Sequence, residues 1–150
     1  PFPGYWGHSS NDNGTWQTLF DHIHGETESQ PEPGVAPMAR HFAQWFGMGD
    51  RAFLAGLTHD LGKYSQRFTD RLCGKESGMD HWTAGAFVAW KQFGAVDVAL
   101  AVEGHHVGLQ CGSNDIEYRL KLAEPSLTKN LGLSLTEPGD TQAKALLTRL

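Results

Sequence analysis

The sequence predicts an all-α protein that folds as one helical domain. Several segments place apolar residues three or four positions apart, as on one face of a helix. Glycines and short Gly/Pro clusters separate these segments. No stretch shows a convincing alternation of apolar and polar residues, which is the pattern of a half-buried strand. A chain of 150 residues is long enough for one domain that buries about two-thirds of its unfolded surface.

The composition is typical of a soluble globular protein, with 39% hydrophobic and 19% charged residues. The longest apolar run, residues 84–90, is far shorter than a membrane span, and no charged and then apolar leader opens the chain. Cys73 and Cys111 have neither a CxxC spacing nor the count of a disulfide framework, so we expect free thiols in a reducing compartment. These observations predict a cytoplasmic protein.

The formal net charge of −5 argues against a protein that holds nucleic acid by charge alone. A function on nucleic acid would require bound metal ions, a local basic strip or a partner that supplies the attraction. The eight histidines are the more informative count, because neutral imidazole is the commonest metal ligand in proteins.

The chain opens with residues 1–14, which are rich in Gly, Pro, Asn and Ser and are expected to be irregular. Thr15 is a candidate N-cap of a first helix, which contains His22 and His24. The apolar face of this helix consists of Trp16, Leu19, Phe20 and Ile23. Residues 25–34 are predicted to form a loop.

A second helix is predicted to begin at Val35 and to end before residues 47–49. Its inward side is expected to consist of Ala36, Ala39, Phe42, Ala43 and Phe46. Asp50 is a candidate cap of a third helix, from Arg51 to about Gly62. The buried stripe of the third helix is expected to contain Phe53, Leu54 and Leu57.

A short helix is predicted over residues 64–72. One side of it carries the one basic strip of note, formed by Lys63, Arg67 and Arg71. Asp80 is a candidate cap of a helix over residues 81–93, which Gly94 ends. A last apolar helix, residues 96–103, leads to Gly104-His105-His106.

The pattern weakens beyond Gly112. Residues 114–123 are compatible with a helix, residues 125–139 read as a loop, and Asp140 is a candidate cap of a helix that reaches Leu150. No internal repeat or domain boundary is evident, so residues 1–150 are interpreted as a single domain.

The pair His59-Asp60 is the first feature that indicates chemistry. A carboxylate beside an imidazole can bind one metal ion and bridge to a second. If this stretch is helical, Lys63 lies on the same face as both side chains. Alone, such a pair is more often a helix end with a capping Asp and a solvated Lys.

The other histidines strengthen the metal interpretation, because they lie at the starts and ends of predicted helices, where side chains can converge. Each of them taken singly is more often an ordinary residue. The set consists of His22, His81, His105 and His106. With His59 and Asp60 they supply five imidazoles and a carboxylate, a number that suits two ions. Two ions bridged by Asp60 favour hydrolysis of a phosphate ester, with Lys63 placed to neutralise a phosphate oxygen.

The sequence also resembles a known family, the HD-type nuclease domain of the CRISPR-associated helicase-nuclease of type I systems. The similarity spans roughly residues 7–112 in four blocks. These are Gly7-His8-Ser9 with Trp16-Gln17-Thr18-Leu19 and His22; Leu57-Thr58-His59-Asp60-Leu61-Gly62-Lys63-Tyr64-Ser65-Gln66-Arg67-Phe68; Asp80-His81-Trp82-Thr83-Ala84-Gly85-Ala86; and Gly104-His105-His106-Val107-Gly108-Leu109. The His-Asp pair alone indicates only the HD phosphohydrolase superfamily; the order of all four blocks is more specific.

The resemblance implies an HD-domain helical bundle with a metal site between its helices. It also implies a ligand set: His22, His59 and Asp60 for one ion, and Asp60, His81, His105 and His106 for the other, with Lys63 beside them. The family cleaves single-stranded DNA with Mn, Mg, Ni or Co. It works in antiviral defence with a helicase that feeds the strand and with the RNA-guided Cascade complex.

Two positions depart from the family pattern. Trp82 replaces a residue that is usually small and polar, and it either stacks on a base or simply packs. The family also closes its first site with a downstream Asp, and neither Asp115 nor Asp140 has a matching context. The missing ligand is expected beyond Leu150, so we interpret the chain as truncated there. A single ion near His81, His105 and His106 is then expected.

The remaining histidines are expected to act outside the ligand set. His24 and His41 are interpreted as surface residues or as supports for ligands, and His8 as a support. Two other functions stay open. One is an HD phosphohydrolase that acts on nucleotides or cyclic nucleotides, and the other is a docking domain without catalytic activity.

Overall fold

A computed structural model describes residues 4–8, 16–25 and 32–108 of the chain. Within these ranges the fold is all-α with one short sheet, so the predicted fold class is confirmed. The helices are α1 (Leu19–His24), α2 (Val35–Ala43), α3 (Gly49–Thr58), α4 (Gln66–Leu72), α5 (Thr83–Phe93) and α6 (Val96–Val107). Two 3₁₀ turns follow α2 and α3, at Gln44–Phe46 and Leu61–Tyr64.

The core consists of three clusters of buried apolar side chains. The first joins α1, α2, the end of α3 and the turn after it, through Leu19, Ile23, Ala36, Leu57, Leu61 and Tyr64. The second joins α3, α5 and α6, through Leu54, Ala86, Ala89, Ala95, Val98, Ala99 and Val102. The third consists of Phe68, Met79 and Ala84. Helix α3 contributes to the first two clusters, and its C-terminal end therefore lies between them.

The close approach of α5 to the end of α3 depends on Gly85. A Cβ atom at this position would lie 1.8 Å from the carbonyl oxygen of Thr58, the last residue of α3. No side chain fits in that space, because real Cβ contacts are much longer. The absence of a side chain at Gly85 thus sets how α5 packs against the turn that follows α3.

A two-stranded antiparallel sheet precedes the helices, contrary to the prediction of an irregular lead-in. Strand β1 (Trp6–His8) pairs with β2 (Gln17–Thr18), and the rings of Trp6 and Trp16 lie 5.6 Å apart. The strands were missed because segments of three and two residues are too short to show an alternating pattern. Thr18, not Thr15, caps α1: its hydroxyl accepts a hydrogen bond from Asp21 N at 3.0 Å.

Several predicted helix ends differ from the observed ones by a few residues. Helix α3 ends at Thr58 rather than near Gly62, so the His-Asp pair lies just outside it. Helix α4 begins at Gln66, where the Ser65 hydroxyl accepts a hydrogen bond from Phe68 N at 3.2 Å. The Asp80 carboxylate accepts hydrogen bonds from the backbone at the start of α5, as a cap does, but His81 lies before the helix. Helix α6 continues through His105 and His106.

The inward side of α2 was predicted only in part. Ala36 is fully buried, but Phe42 is 65% exposed and Phe46 is 82% exposed, so the assignment of these two residues to the core is wrong. The physical reason lies in α3: a Cβ atom on Gly56 would lie 2.5 Å from Cα of Ala36. The two helices cross at this small-residue contact, which centres the buried face of α2 on Ala36.

Other expectations concern residues that the structure does not describe. The predicted helices over residues 114–123 and 140–150, the loop between them and Cys111 all lie outside the described ranges. Cys73 is a free, exposed thiol. Among the described residues no helix combines the length and the apolar character that crossing a membrane requires.

Candidate metal centre

His59 and Asp60 lie in the turn where α3 ends. His59 N still donates to Ala55 O at 2.9 Å, and Lys63 N then donates to Asp60 O at 2.9 Å in the 3₁₀ turn. Gly62 N donates to the carbonyl of His81 at 3.0 Å. This bond holds the loop before α5 against the turn and brings His81 to Asp60.

The carboxylate of Asp60 lies among the histidines. Its Oδ2 atom is 3.1 Å from Nε2 of His22 and 3.2 Å from Nε2 of His59. Its Oδ1 atom is 3.3 Å from Nε2 of His81 and 4.0 Å from Nε2 of His105. Asp60 is only 2% exposed, so the two oxygens face side chains and not solvent. Each oxygen faces a different set of imidazoles.

The histidines form two groups that share Asp60. Group one consists of His22, His59 and Asp60, and group two of Asp60, His81, His105 and His106. Within each group, one candidate ligand atom per residue lies within 4.8 Å of the others. Four segments contribute: α1, the turn after α3, the loop before α5 and the last turn of α6. The structure thus brings together every residue that the sequence suggested as a ligand, and ligation itself stays a prediction.

Two backbone carbonyls fix the orientation of the rings of His59 and His105. Nδ1 of His59 lies 2.7 Å from Gly56 O, and Nδ1 of His105 lies 2.6 Å from Val102 O. A carbonyl oxygen can only accept a hydrogen bond, so each Nδ1 must carry the proton. In the neutral rings the lone pair is then on Nε2, the atom that faces Asp60. This arrangement is usual for metal-binding histidines.

The atoms of this centre fit a divalent cation. Oδ1 of Asp60 is buried and accepts no hydrogen bond from any described residue. A buried carboxylate oxygen without a donor is costly unless a cation neutralises it. Mixed imidazole and carboxylate ligands suit Mn, Fe, Co, Ni or Mg better than a structural zinc site with thiolates. No cysteine belongs to either group within the described residues, which agrees with this choice of ion.

Asp60 carries a negative charge at neutral pH. Burial raises the pKa of its carboxyl group, but the close side chains of His22, His59 and His81 lower the pKa by more, and the net pKa lies far below its usual range. The carboxylate is therefore available as a metal ligand whenever the imidazoles are neutral.

Lys63 does not lie where the predicted basic strip placed it. Its side chain is buried, and its Nζ atom lies 2.6 Å from Oδ2 of Asp60 and donates to Gly7 O at 2.8 Å. The surface strip therefore loses Lys63 and retains Arg67 and Arg71. Lys63 instead joins strand β1 to the candidate metal centre, through a contact between residues 56 positions apart that no local sequence pattern indicates.

The other histidines lie outside both groups. The ring of His8 contacts that of His22 edge to face, with 4.7 Å between the ring centroids. His24 packs beside Phe20, and His41 is exposed near Gln44. Asp115 and Asp140, the two downstream aspartates without a matching context, are outside the described residues. Group one therefore has three candidate ligands among the described residues and group two has four.

The pH dependence of metal binding should reflect lowered histidine pKa values in group two. Burial lowers the pKa of His105 below 6.5, an effect that its hydrogen bond to Val102 partly offsets. Burial and the nearby His81 lower the pKa of His106. Both rings are then more than half neutral at pH 6.5, and protons compete with a metal mainly below that pH. We expect the Mn²⁺ affinity, measured by calorimetry, to be nearly constant from pH 8 to 6.5 and to fall below it. A flat curve down to pH 5 would argue against histidine ligands.

The fold and the centre together define a class of protein, an all-α domain whose segments bring together imidazoles and a carboxylate that could hold divalent metal ions. Residues 34–130 match the HD domain family, and the chain belongs to this family. The fold is accordingly an HD bundle, and the family assigns a metal-dependent phosphohydrolase. The matched range contains the candidate ligands from His59 to His106, whereas His22 lies before it. Comparisons with curated proteins and with solved structures gave no match.

Proposed function

We propose that the chain is a nuclease domain that cleaves single-stranded DNA with divalent metal ions in type I CRISPR interference. The observation that carries the proposal is the shared Asp60 carboxylate, which faces one group of imidazoles with each oxygen. Four segments build these groups, in the same order as the four sequence blocks that resemble CRISPR-associated HD nucleases. Membership of the HD family supports hydrolysis of a phosphate ester, and the blocks favour a DNA phosphodiester as the substrate.

The residues of the two groups would hold the metal ions. Bound divalent ions supply a nucleophilic water at neutral pH and stabilise charge on a phosphate. Asp60 holds its charge between the groups, while the carbonyls of Gly56 and Val102 keep Nε2 of His59 and His105 directed toward it. These contacts fix the ligands before an ion or a substrate arrives, so little reorganisation accompanies binding.

Lys63 is proposed to act on both the carboxylate and the substrate. An ammonium group has three N–H donors. In Lys63 one donor faces Asp60 and another bonds Gly7 O. We propose that the third donates to a non-bridging phosphate oxygen as charge develops in the transition state.

The substrate would enter on the side of α6. His105 and His106 are exposed, whereas Asp60 and His81 are buried. A phosphodiester would therefore reach group two from solvent without displacing any helix of the described residues. A single strand also has the flexibility to bring one phosphate into a concave centre, which a stiff duplex lacks.

The test is a comparison of substrates with one purified protein. A fluorescent single strand, the same sequence as a duplex, and a cyclic dinucleotide are incubated with Mn²⁺ or Ni²⁺, with EDTA as the metal-free control. We expect the single strand to be cleaved, the duplex to persist, and EDTA to stop the reaction. Faster hydrolysis of the cyclic dinucleotide would favour a nucleotide phosphohydrolase instead. Hydrolysis of none of the three would favour a docking domain.

The proposed partners are a CRISPR helicase and the Cascade complex. The acidic net charge of −5 supports this part of the proposal, because partners would then supply much of the surface that attracts DNA. Cleavage of a duplex target should require the helicase, Cascade and ATP. Duplex cleavage by this chain alone would remove the need for them.

Arg71 is expected to contribute to binding of the strand. It lies 5.8 Å from the centroid of Phe68, whose ring is 5.5 Å from that of His81, and it makes no ion pair with a described residue. We expect Arg71→Ala to weaken binding of a single strand several-fold whatever its sequence, and to lower the slope of log Kd against log salt by about 0.7. Fluorescence anisotropy at several salt concentrations measures both.

Arg51→Ala is the matched control for this charge change. Arg51 is paired with Asp97 at 3.1 Å, and it lies at the start of α3, two helical turns before His59. Its removal should leave both the affinity and the salt slope within error of the unmodified chain. Equal effects of the two substitutions would mean that Arg71 acts only through net charge.

A further inference from the structure

Trp82 is the large side chain beside the metal centre that the core does not use. It follows His81 directly and is partly exposed. Its ring centroid lies 5.0 Å from that of His106, 5.2 Å from His81 and 6.4 Å from His105. None of the three apolar clusters of the described residues includes it. The aromatic contacts of Trp82 in this part of the chain are therefore with group two.

The backbone of Trp82 is held firmly. Its N–H donates to the Asp80 carboxylate at 3.0 Å, and its carbonyl accepts from Ala86 N at 3.1 Å in the first turn of α5. The indole is thus presented from a fixed backbone position at the exposed edge of the centre. A rigid aromatic ring with free surface loses little conformational entropy when another ring stacks on it.

We propose that Trp82 forms a stacking subsite for an unpaired nucleobase next to the phosphate that group two would bind. The inference rests on the proposed function and extends it to the part of the substrate that does not react. Every base has a π-face, so stacking tolerates any sequence. The bases of a duplex are already stacked on each other and cannot reach the indole. The subsite therefore supplies one reason for selecting single strands.

The competing interpretation is that Trp82 only packs against His106 and orients it. The two roles differ in what they change. A stacking subsite affects the affinity for a strand with bases and leaves the affinity for metal alone unchanged. A packing role changes the position of His106, and with it the affinity for metal.

The experiment compares Trp82→Phe and Trp82→Leu in the full chain. Leucine removes the π-face but keeps an apolar side chain, and phenylalanine keeps an aromatic ring. Binding of a fluorescein-labelled oligothymidylate of fifteen nucleotides is measured by fluorescence anisotropy in EDTA, which prevents cleavage. The Mn²⁺ affinity is measured separately by calorimetry. Trp45→Leu is the matched control, because Trp45 is 80% exposed on the turn after α2 and contacts no site histidine among the described residues.

We expect Trp82→Leu to weaken oligothymidylate binding about tenfold or more, which is the usual effect of losing one stacked base. Trp82→Phe should keep most of the affinity, and Trp45→Leu should keep all of it. The Mn²⁺ affinity of all three variants should stay within about twofold of the unmodified chain. An oligomer with abasic sites at every position should bind the unmodified chain and Trp82→Leu equally weakly.

Two results would overturn the subsite. One is an unchanged oligothymidylate affinity in Trp82→Leu, and the other is a loss of Mn²⁺ affinity that matches the loss of DNA affinity. The proposed nuclease function fails separately, if the unmodified chain binds the oligomer but does not cleave it with Mn²⁺ or Ni²⁺. In that case a tenfold effect in Trp82→Leu would still support a base-binding site. An unmodified chain that does not bind the oligomer in EDTA would contradict the subsite, whereas cleavage with Mn²⁺ or Ni²⁺ decides the nuclease function separately.

Discussion

We expect Asp60→Asn to abolish metal-dependent hydrolysis, with a loss of about a thousandfold or more, while the chain stays helical. The substitution keeps the shape of the side chain but removes the charge that both groups share. Loss of a ligand of the bound metal removes several kcal/mol of transition-state stabilisation. A loss of this size lowers the rate by about a thousandfold or more. Cleavage of a labelled single strand with Mn²⁺ measures the activity, and circular dichroism measures the helix content.

The structure explains why Asn is a better test here than Ala. The sequence alone predicts that Asp60→Ala removes a bridge between ions without removing core packing, and that the fold is largely unaffected. Asp60 is in fact buried 2.6 Å from the buried ammonium of Lys63. Removing one partner of a buried pair costs about 3–5 kcal/mol. Asp60→Ala would then lower stability as well as activity, whereas Asn keeps a hydrogen-bond acceptor for Lys63.

Asp70→Asn is the control for the loss of one negative charge. Asp70 lies on α4, 3.7 Å from Lys75 and away from the histidines of both groups. Its substitution should leave both activity and metal affinity unchanged. If Asp60→Asn kept a tenth or more of the activity, a bridging carboxylate could not be part of the mechanism.

Gly85→Ala has the largest expected effect on stability. The new Cβ atom would lie 1.8 Å from Thr58 O and 2.7 Å from Thr58 C, both of which are backbone atoms and cannot rotate away. Helix α5 must then separate from α3, at the point where the chain turns into His59 and Asp60. We expect a loss of about 3 kcal/mol or more and a fall in Tm of about 10 °C, measured by calorimetry. The Mn²⁺ affinity should fall as well.

Gly49→Ala is the matched control for this prediction. It also lies in a helix, but the atoms nearest to its new Cβ would be 3.5 Å away, an ordinary contact. Its Tm should equal that of the unmodified chain or rise slightly, because Ala favours helix over Gly. A Tm of Gly85→Ala within 2 °C of the control would show that α5 does not pack as described.

The helices could be predicted because the residues that cap and end them act locally in the sequence. Gly47 and Gly94 lie in left-handed conformations at the end of the turn after α2 and at the end of α5, and Asp80 bonds the first amides of α5. The features that the sequence did not show depend on contacts between residues that are far apart in the chain. The pairing of β1 with β2 and the exposure of Phe42 both follow from how separate segments meet.

The candidate ligands could be named from the sequence because their residue types and the order of their blocks are specific. The sequence could not show which oxygen of Asp60 faces which histidine. It could not show the burial of Lys63 either, because the carbonyl that fixes this side chain belongs to Gly7. The i−3 carbonyls that orient His59 and His105 had no distinguishing signal, since every helical residue has such a carbonyl.

We expect imidazoles from separate segments and the carboxylate of Asp60 to bind divalent ions together. The most direct measurement is the anomalous scattering of crystals soaked in Mn²⁺. We predict a peak within about 2.0–2.3 Å of Nε2 of His81 and of an oxygen of Asp60, with the side chains of His105 and His106 around it. A second, weaker peak should lie between His22, His59 and Asp60, where fewer candidate ligands are described. No peak at Asp60, or a peak bound only elsewhere, would contradict the account.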